Sequence, residues 1–164
     1  MFVANKMRIY TYLISGFVLT SFFIVGCQKE EKDVEDMRSM LTLVNTIRTA
    51  GCQCGSDWIP PAKELTWNDT LAIAAHNHAT DMTKREYFDH VSPEGTSPIQ
   101  RAQQVGYSGL YIGENIARGY SSMQRVIDDW KVSESHCKTM MDTLYTEMGA
   151  GRYETYWVQE FGSR

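Results

Sequence analysis

The stretch YIGENIARGY, residues 111–120, sets a single carboxylate, Glu114, among Gly113, Asn115, Ile116 and Ala117. A lone acid between a glycine and an apolar pair is out of place on a solvated surface, and it implies a side chain with a specific partner. Sulfur is the second reactive element. Four cysteines, at 27, 52, 54 and 137, can end as disulfides, metal ligands or lipid carriers, and the compartment decides among these.

The N-terminus sets the compartment. Lys6 and Arg8 precede an apolar run from Ile9 to Val25, a charged region followed by a greasy one, which is the layout of a secretory signal. The run is about one membrane span long, so an uncleaved anchor helix is the competing reading. Ile24, Val25, Gly26 and Cys27 resemble the lipobox of bacterial lipoproteins. That resemblance favours cleavage after residue 26 and a diacylated Cys27 as the first mature residue. Residues 27–37 then form a charged tether with no core-forming power. Within it Lys29, Glu30 and Glu31 resemble the acidic signal that sends some Gram-negative lipoproteins to the outer cell face. The expected location is the bacterial envelope, at the outer membrane and surface-exposed, with the membrane as a partner through the lipid on Cys27.

Export turns the remaining thiols towards disulfides. Cys52 and Cys54 are too close in sequence to bridge each other without strain. One or the other is expected to reach Cys137, closing a loop of roughly eighty residues, worth on the order of 4 kcal/mol. A zinc knot from Cys52, Cys54, His136 and Cys137 is the rival, but its C-x-C spacing departs from the usual structural zinc pattern. Either arrangement leaves an odd thiol. The signal removes two of the 16 basic residues against 20 acids, so the mature chain carries a net charge near −6. No basic patch appears, and nucleic-acid binding is not expected.

The elements that must position these groups follow from periodicity. Met37, Met40, Leu41, Val44 and Ile47 predict an amphipathic helix over 36–49, ended by Gly51 and Gly55. Asn68 or Asp69 caps a second helix whose stripe is Leu71, Ala74, Ala75, His78 and Met82. His78 on that stripe reads as a hydrogen-bonded core histidine, and His76 points to solvent. Ser97 and Pro98 open a third helix that Gly106 stops. Ser121 or Ser122 opens a fourth, with Met123, Val126, Ile127 and Trp130 inward. Two strands follow, at 145–151 and through TYWVQEFG, where Tyr156, Val158 and Glu160 alternate with Trp157, Gln159 and Phe161. Four helices and a small sheet make an α+β domain.

In that order, YFDHVSPEG, GENIARGY, WKVSESH and YWVQEFG resemble the bacterial branch of the CAP superfamily, the SCP domain. The resemblance covers residues 38–162. It implies a three-layer α-β-α sandwich, a small antiparallel sheet between helices, with a cleft built from two histidines and two acids. The matching positions here are His90 of FDHVSP, Glu114 of GEN and His136. Ser133 stands where eukaryotic members carry the second acid, and Glu134, one residue on, is expected to face water. His90 and His136 are thereby the candidate zinc ligands, and Glu114 the group that orients them.

Two function classes remain open. As a binding module, the cleft takes a small apolar or sterol-like lipid, a metal, or an envelope or host protein, with Tyr107, Tyr111 and Tyr120 as candidate lining. As an enzyme, it is a zinc-dependent peptidase or esterase in which Glu114 serves as base, or in which Ser133 and His136, three apart, form a nucleophile pair. No G-x-S-x-G elbow surrounds Ser133. Binding is the leading reading.

Overall fold

The structure, a computed structural model, describes residues 37–164. The signal segment, the Cys27 lipidation site and all of the tether except Met37 lie outside the described residues. Helix α1 occupies residues 37–50 and buries Met37, Met40 and Val44 on one stripe. The same stripe continues into Arg48, which is also buried. Its guanidinium is held by carbonyl oxygens, with Nε donating to Lys63 at 2.8 Å and Nη1 to Met140 and Asp142 at 2.6 and 2.9 Å. A buried cation needs such acceptors, and they tie α1 to the chain's second half.

Gly51, with φ of +71°, turns α1 into a hairpin of β1 (Cys52–Cys54) and β2 (Asp57–Ile59). A two-residue strand, β3 (Thr66–Trp67), leads into α2 (Asp69–Lys84). Asn68 is the cap, its Oδ1 accepting from the Leu71 amide at 3.1 Å. Helix α3 (Pro98–Gln104) starts after Ser97 and ends before Gly106, whose φ is +96°. The remaining elements are β4 (Tyr111–Arg118), α4 (Met123–Val132), α5 (Glu134–Met141), β5 (Glu147–Tyr153) and β6 (Tyr156–Ser163).

The principal sheet has the order β3-β5-β6-β4. Its long strands are antiparallel, and the short β3 joins β5 in parallel. Alternation along β4 and β6 separates two helical layers. Ala117, Trp157 and Phe161 face α1, α4 and α5, packing with Met40, Val44, Val126, Ile127, Trp130 and Met140. Ile116 and Val158 face α2, against Ala75, Ala79 and Met82. The protein is therefore an α+β sandwich of helices, sheet and helices.

Close approach of α2 to β5 explains the sequence EMGAGRY. A Cβ on Gly149 would sit 2.1 Å from the Ala72 amide nitrogen, and one on Gly151 2.2 Å from that of His76. Backbone cannot yield as a side-chain tip does, so both positions require glycine.

The structure adds strands β1, β2, β3 and β4, which periodicity does not predict, and two further elements depart from the sequence expectation. Periodicity predicts strands, and no further helix, after the one that carries Trp130. Instead Ser133 adopts an extended conformation (φ −80°, ψ 118°) that ends α4 and caps a fifth helix. Cys137, Met140 and Met141, at i, i+3 and i+4, are its buried stripe. Strand β5 also lies two residues later than expected, ending at a tight turn in which Glu154 has φ of 51°.

Candidate functional site

β4 is the edge strand of the sheet, and it presents Glu114 and Asn115 to opposite faces. Glu114 faces the α2–α3 side and is almost wholly buried, its side chain 2% exposed. Oε1 meets His90 Nδ1 at 2.7 Å, and Oε2 accepts from Arg101 Nη2 at 2.5 Å. His78 Nε2 stands 3.8 Å from Oε2. The carboxylate that looked misplaced is thus ringed by three cationic or imidazole groups, one each from the 85–97 loop, α3 and α2.

That loop is itself built around the site. Arg101 Nη1 donates to the carbonyls of His90 and Thr96 at 2.8 and 3.0 Å. His78 Nε2 lies 3.0 Å from the Asp89 carbonyl, and Asp89 Oδ1 accepts from the Val91 amide at 2.9 Å. Since a carbonyl only accepts, His78 carries its proton on Nε2. Burial lowers the His78 pKa against the pull of Glu114, leaving a neutral core imidazole.

On the same face of the sheet, Glu160 pairs in register with Glu114 across β4 and β6. It is fully buried, and its oxygens accept from no donor among the described residues. Burial and then the charge of Glu114 push its carboxyl well above the ordinary glutamate value. Of the two facing carboxyls, Glu160 is the one whose surroundings favour the neutral form. Glu114 itself moves the other way: burial raises it, but the hydrogen bond from His90 and the charge of Arg101 outweigh that and hold it below the ordinary value. The hydrogen bond to Glu114 raises the His90 pKa, with burial opposing.

His136 stands in the other layer, on the first turn of α5. Asn115, the next residue after Glu114, donates from Nδ2 to the His136 carbonyl at 3.2 Å and to Gln159 Oε1 at 3.1 Å, fixing the start of α5 beside β4. The His136 ring is held by Ser133, Nδ1 to Oγ 2.9 Å. Burial, then the charge of His90, lowers its pKa.

Among the residues marked by sequence, Glu114 and His90 are in direct contact, as are Ser133 and His136. Glu114 makes no hydrogen bond or ion pair with His136. Glu134 turns to the hairpin side, paired with Lys138 at 2.7 Å and exposed. Tyr107 packs in the α2–α3 core with its hydroxyl on Glu147, and Tyr120 binds Asp129. Tyr111, three residues before Glu114 in the same strand, belongs to the opposite face and is exposed. None of the three hydrogen-bonds Glu114. His76 is exposed, with Nδ1 3.1 Å from the Arg152 carbonyl.

Sequence reasoning does not single out Arg101, Glu160 or the His78–Glu114 approach as site features. Glu160 carries a readable signal, since the alternation already sets it on one face with Val158. Arg101 carries none beyond its place in a short helix.

The sulfur chemistry resolves in favour of a bridge, Cys54–Cys137, with Cys52 free and buried. With two of the three sulfurs bonded to each other, the zinc knot has lost its thiolates, and His136 is engaged by Ser133 instead.

A helical layer on each face of a sheet, with histidines and a glutamate gathered at its edge strand, is the architecture of the CAP sandwich. The profile of the Cysteine-rich secretory protein family (CAP) matches residues 41–161, and the chain belongs to that family. An uncharacterized Bacillus subtilis protein, YkwD, is 36% identical over 101 residues, 60% of this chain and 39% of that protein. An extracellular SCP-domain protein of Bacillus anthracis has a similar structure, with TM-score 0.70 and 28% identity over 79% of this chain and 41% of that one. An outer surface protein of Borrelia burgdorferi gives TM-score 0.67 and 25% identity, covering 79% of this chain and 93% of that one. The chain thus spans about two fifths of the two Bacillus proteins. Extracellular and outer-surface neighbours, with the disulfide, place this chain among exported members of the family.

Proposed function

We propose that this protein is a lipid-anchored envelope protein that acts by binding, with His90 and His136 as the ligand-holding pair of its cleft and zinc as the ligand to test first. One observation carries the reading. Each imidazole is pinned through Nδ1, His90 by Glu114 and His136 by Ser133, and neither Nε2 has a hydrogen-bond partner among the described residues. The Glu114 carboxylate only accepts, so it fixes the His90 proton on Nδ1 and leaves Nε2 as the free donor atom, while the Ser133 hydroxyl orients the His136 ring, which is how metal-binding histidines are supported. The depressed His136 pKa keeps that ring neutral, the form a cation requires.

Two nitrogens suit a divalent ion whose remaining positions are filled by water or by a ligand's own donors, and a zinc bound there would supply a Lewis acid. A recess of about 250 Å³ beside Glu114's partners is walled by Asn77, Asp81, Arg85 and Glu94 with His78 and Arg101, and neither His90 nor His136 lines it.

Zinc added to the folded protein should raise its melting temperature, because a ligand of the native state stabilises by mass action. His90→Ala and His136→Ala should each remove the shift. A wild-type protein indifferent to zinc would leave Glu114 as a clamp for the 85–97 loop and nothing more. The anchor is tested separately: Cys27→Ala should release the protein from membranes, and retention would mean an uncleaved helix.

The hydrogen-bonded Ser133–His136 pair supports a second reading, hydrolysis of a peptide or ester. Glu114 suits the role of base poorly, since its oxygens are taken by His90 and Arg101. A turnover screen with and without zinc, repeated on Ser133→Ala and Glu114→Gln, decides between hydrolysis and binding.

A further inference from the structure

Three sulfur atoms meet where β1 packs on α5. Cys52 and Cys54 are two apart on a strand, so both side chains leave the same face, and that face is buried while Gln53 between them is exposed. Opposite them stands Cys137. Its Sγ is bonded to Cys54 and lies 3.1 Å from the Sγ of Cys52, which is itself 3.6 Å from that of Cys54. Nothing in the cleft uses the Cys52 thiol.

We propose that Cys52, Cys54 and Cys137 form an internal thiol–disulfide exchange site, in which Cys137 is bridged alternately to Cys54 and to Cys52. The step balances within the cluster. Cys52 gives up its thiol proton and its sulfur attacks Cys137 Sγ; the Cys52–Cys137 bond forms as the Cys54–Cys137 bond breaks. Cys54 departs as a thiolate and takes up the proton. One disulfide and one thiol exist before and after, so no oxidant or reductant enters.

Three features of the cluster favour this chemistry. The separation of 3.1 Å sets Cys52 in contact with the bridge, and a rotation of its side chain is needed to bring the sulfur into line behind the Cys54–Cys137 bond. The bridges span 83 and 85 residues, so loop closure gives neither a meaningful advantage. All three sulfurs are buried, which shields the exchange from outside thiols and keeps Cys52 from being consumed by them. Burial also raises the Cys52 thiol, against the charge of Lys131, so exchange is slow rather than absent.

The consequence falls on α5. Cys137 directly follows His136, and the two bridges clamp this first turn to different ends of β1. In the Cys52 form the freed thiol is Cys54, beside the Gly55 turn of a hairpin whose strands are three residues each. Such a hairpin is marginal unless it is tied down.

The oxidised wild-type protein, incubated without denaturant in mildly alkaline buffer, should be quenched in acid, unfolded and alkylated at intervals. Cys52 and Cys54 share a tryptic peptide, so fragmentation must assign the label. Label should appear on both Cys52 and Cys54 and settle to a constant ratio. Cys54→Ser should fold with a Cys52–Cys137 bridge. Label confined to Cys52 at every interval would overturn the proposal, as would a folded Cys54→Ser protein with two free thiols. If Cys54→Ser does not fold, the wild-type labelling decides alone.

Discussion

Glu114 and Glu160 stand directly opposite each other across the β4–β6 ladder, two carboxyls in register on one buried face. Like charges so placed cannot both ionise cheaply, and the neighbourhood splits them. Glu114, which takes His90 and Arg101, is the ionised member; Glu160 is the neutral one.

That split fixes the pH dependence of stability on both sides. The lowered Glu114 value contributes stability present above the ordinary glutamate pKa and lost as pH falls through the folded value. The raised Glu160 value acts in reverse. Its contribution is complete below the ordinary pKa and is lost as pH rises towards the folded one, by up to about 1.4 kcal/mol per pH unit for one proton. Glu160→Gln keeps the shape and cannot ionise, so it should flatten the alkaline decline while leaving the acid limb in place. Denaturant unfolding across pH measures this, and parallel curves for the two proteins would refute a neutral Glu160.

Removing the other member should be costly. Glu114→Gln leaves Arg101, one-tenth exposed, without its carboxylate, and breaking a buried pair in this way costs about 3–5 kcal/mol. The same substitution should lower the His90 pKa, which Glu114 now holds above 6.5. An NMR titration of the His90 ring reads this directly. An unchanged midpoint would mean that Glu114 does not govern His90.

Much of the scaffold was legible because its signals are local. The stripe of Met37, Met40 and Val44, the Asn68 cap, Ser97–Pro98 and Gly106 each act within one or two turns. The isolation of Glu114 was also visible, though His90 and His136 were found through a resemblance and not through spacing. What stayed hidden depends on distant partners. Strand β4 is covered on both faces, so Glu114, Asn115, Ile116 and Ala117 show no alternation of polar and apolar residues. Helix α5 is short, and the break at Ser133 is a backbone conformation that no residue type demands. Arg101 becomes a site residue only when α3 docks beside β4, and Arg48 is tolerable in the core only because carbonyls from residues 63, 140 and 142 converge on it.

The glycines of β5 make a sharper packing prediction. Gly149→Ala should destabilise by about 1–3 kcal/mol or more, because the new methyl meets the backbone of α2 at Ala72. Since α2 also carries His78, the variant should disturb the 85–97 loop as well, seen as lost amide protection around Asp89. Gly119→Ala is the control: its Cβ would meet nothing within 4 Å, but φ of +89° makes it strained for local reasons. A loss at position 119 with no change in protection around Asp89 would separate backbone strain from helix displacement.

The bridge between the β1–β2 hairpin and α5 offers the last test. Cys137 is the sulfur common to both possible disulfides, so Cys137→Ala abolishes cross-linking outright, whereas Cys52→Ala leaves Cys54–Cys137 intact. The closed loop of 83 residues implies a loss of about 4 kcal/mol for Cys137→Ala. Cys52→Ala removes only a buried thiol and should cost about 1 kcal/mol or less, on the scale of one buried methylene-sized group. Adding a reductant should bring the wild type close to Cys137→Ala and leave that variant unaffected. Chemical denaturation of the three proteins, with and without reductant, reads each difference. Near-equal stability of Cys137→Ala and wild type would show that Arg48 and the Asn115–His136 contact, rather than the disulfide, hold α5 in place.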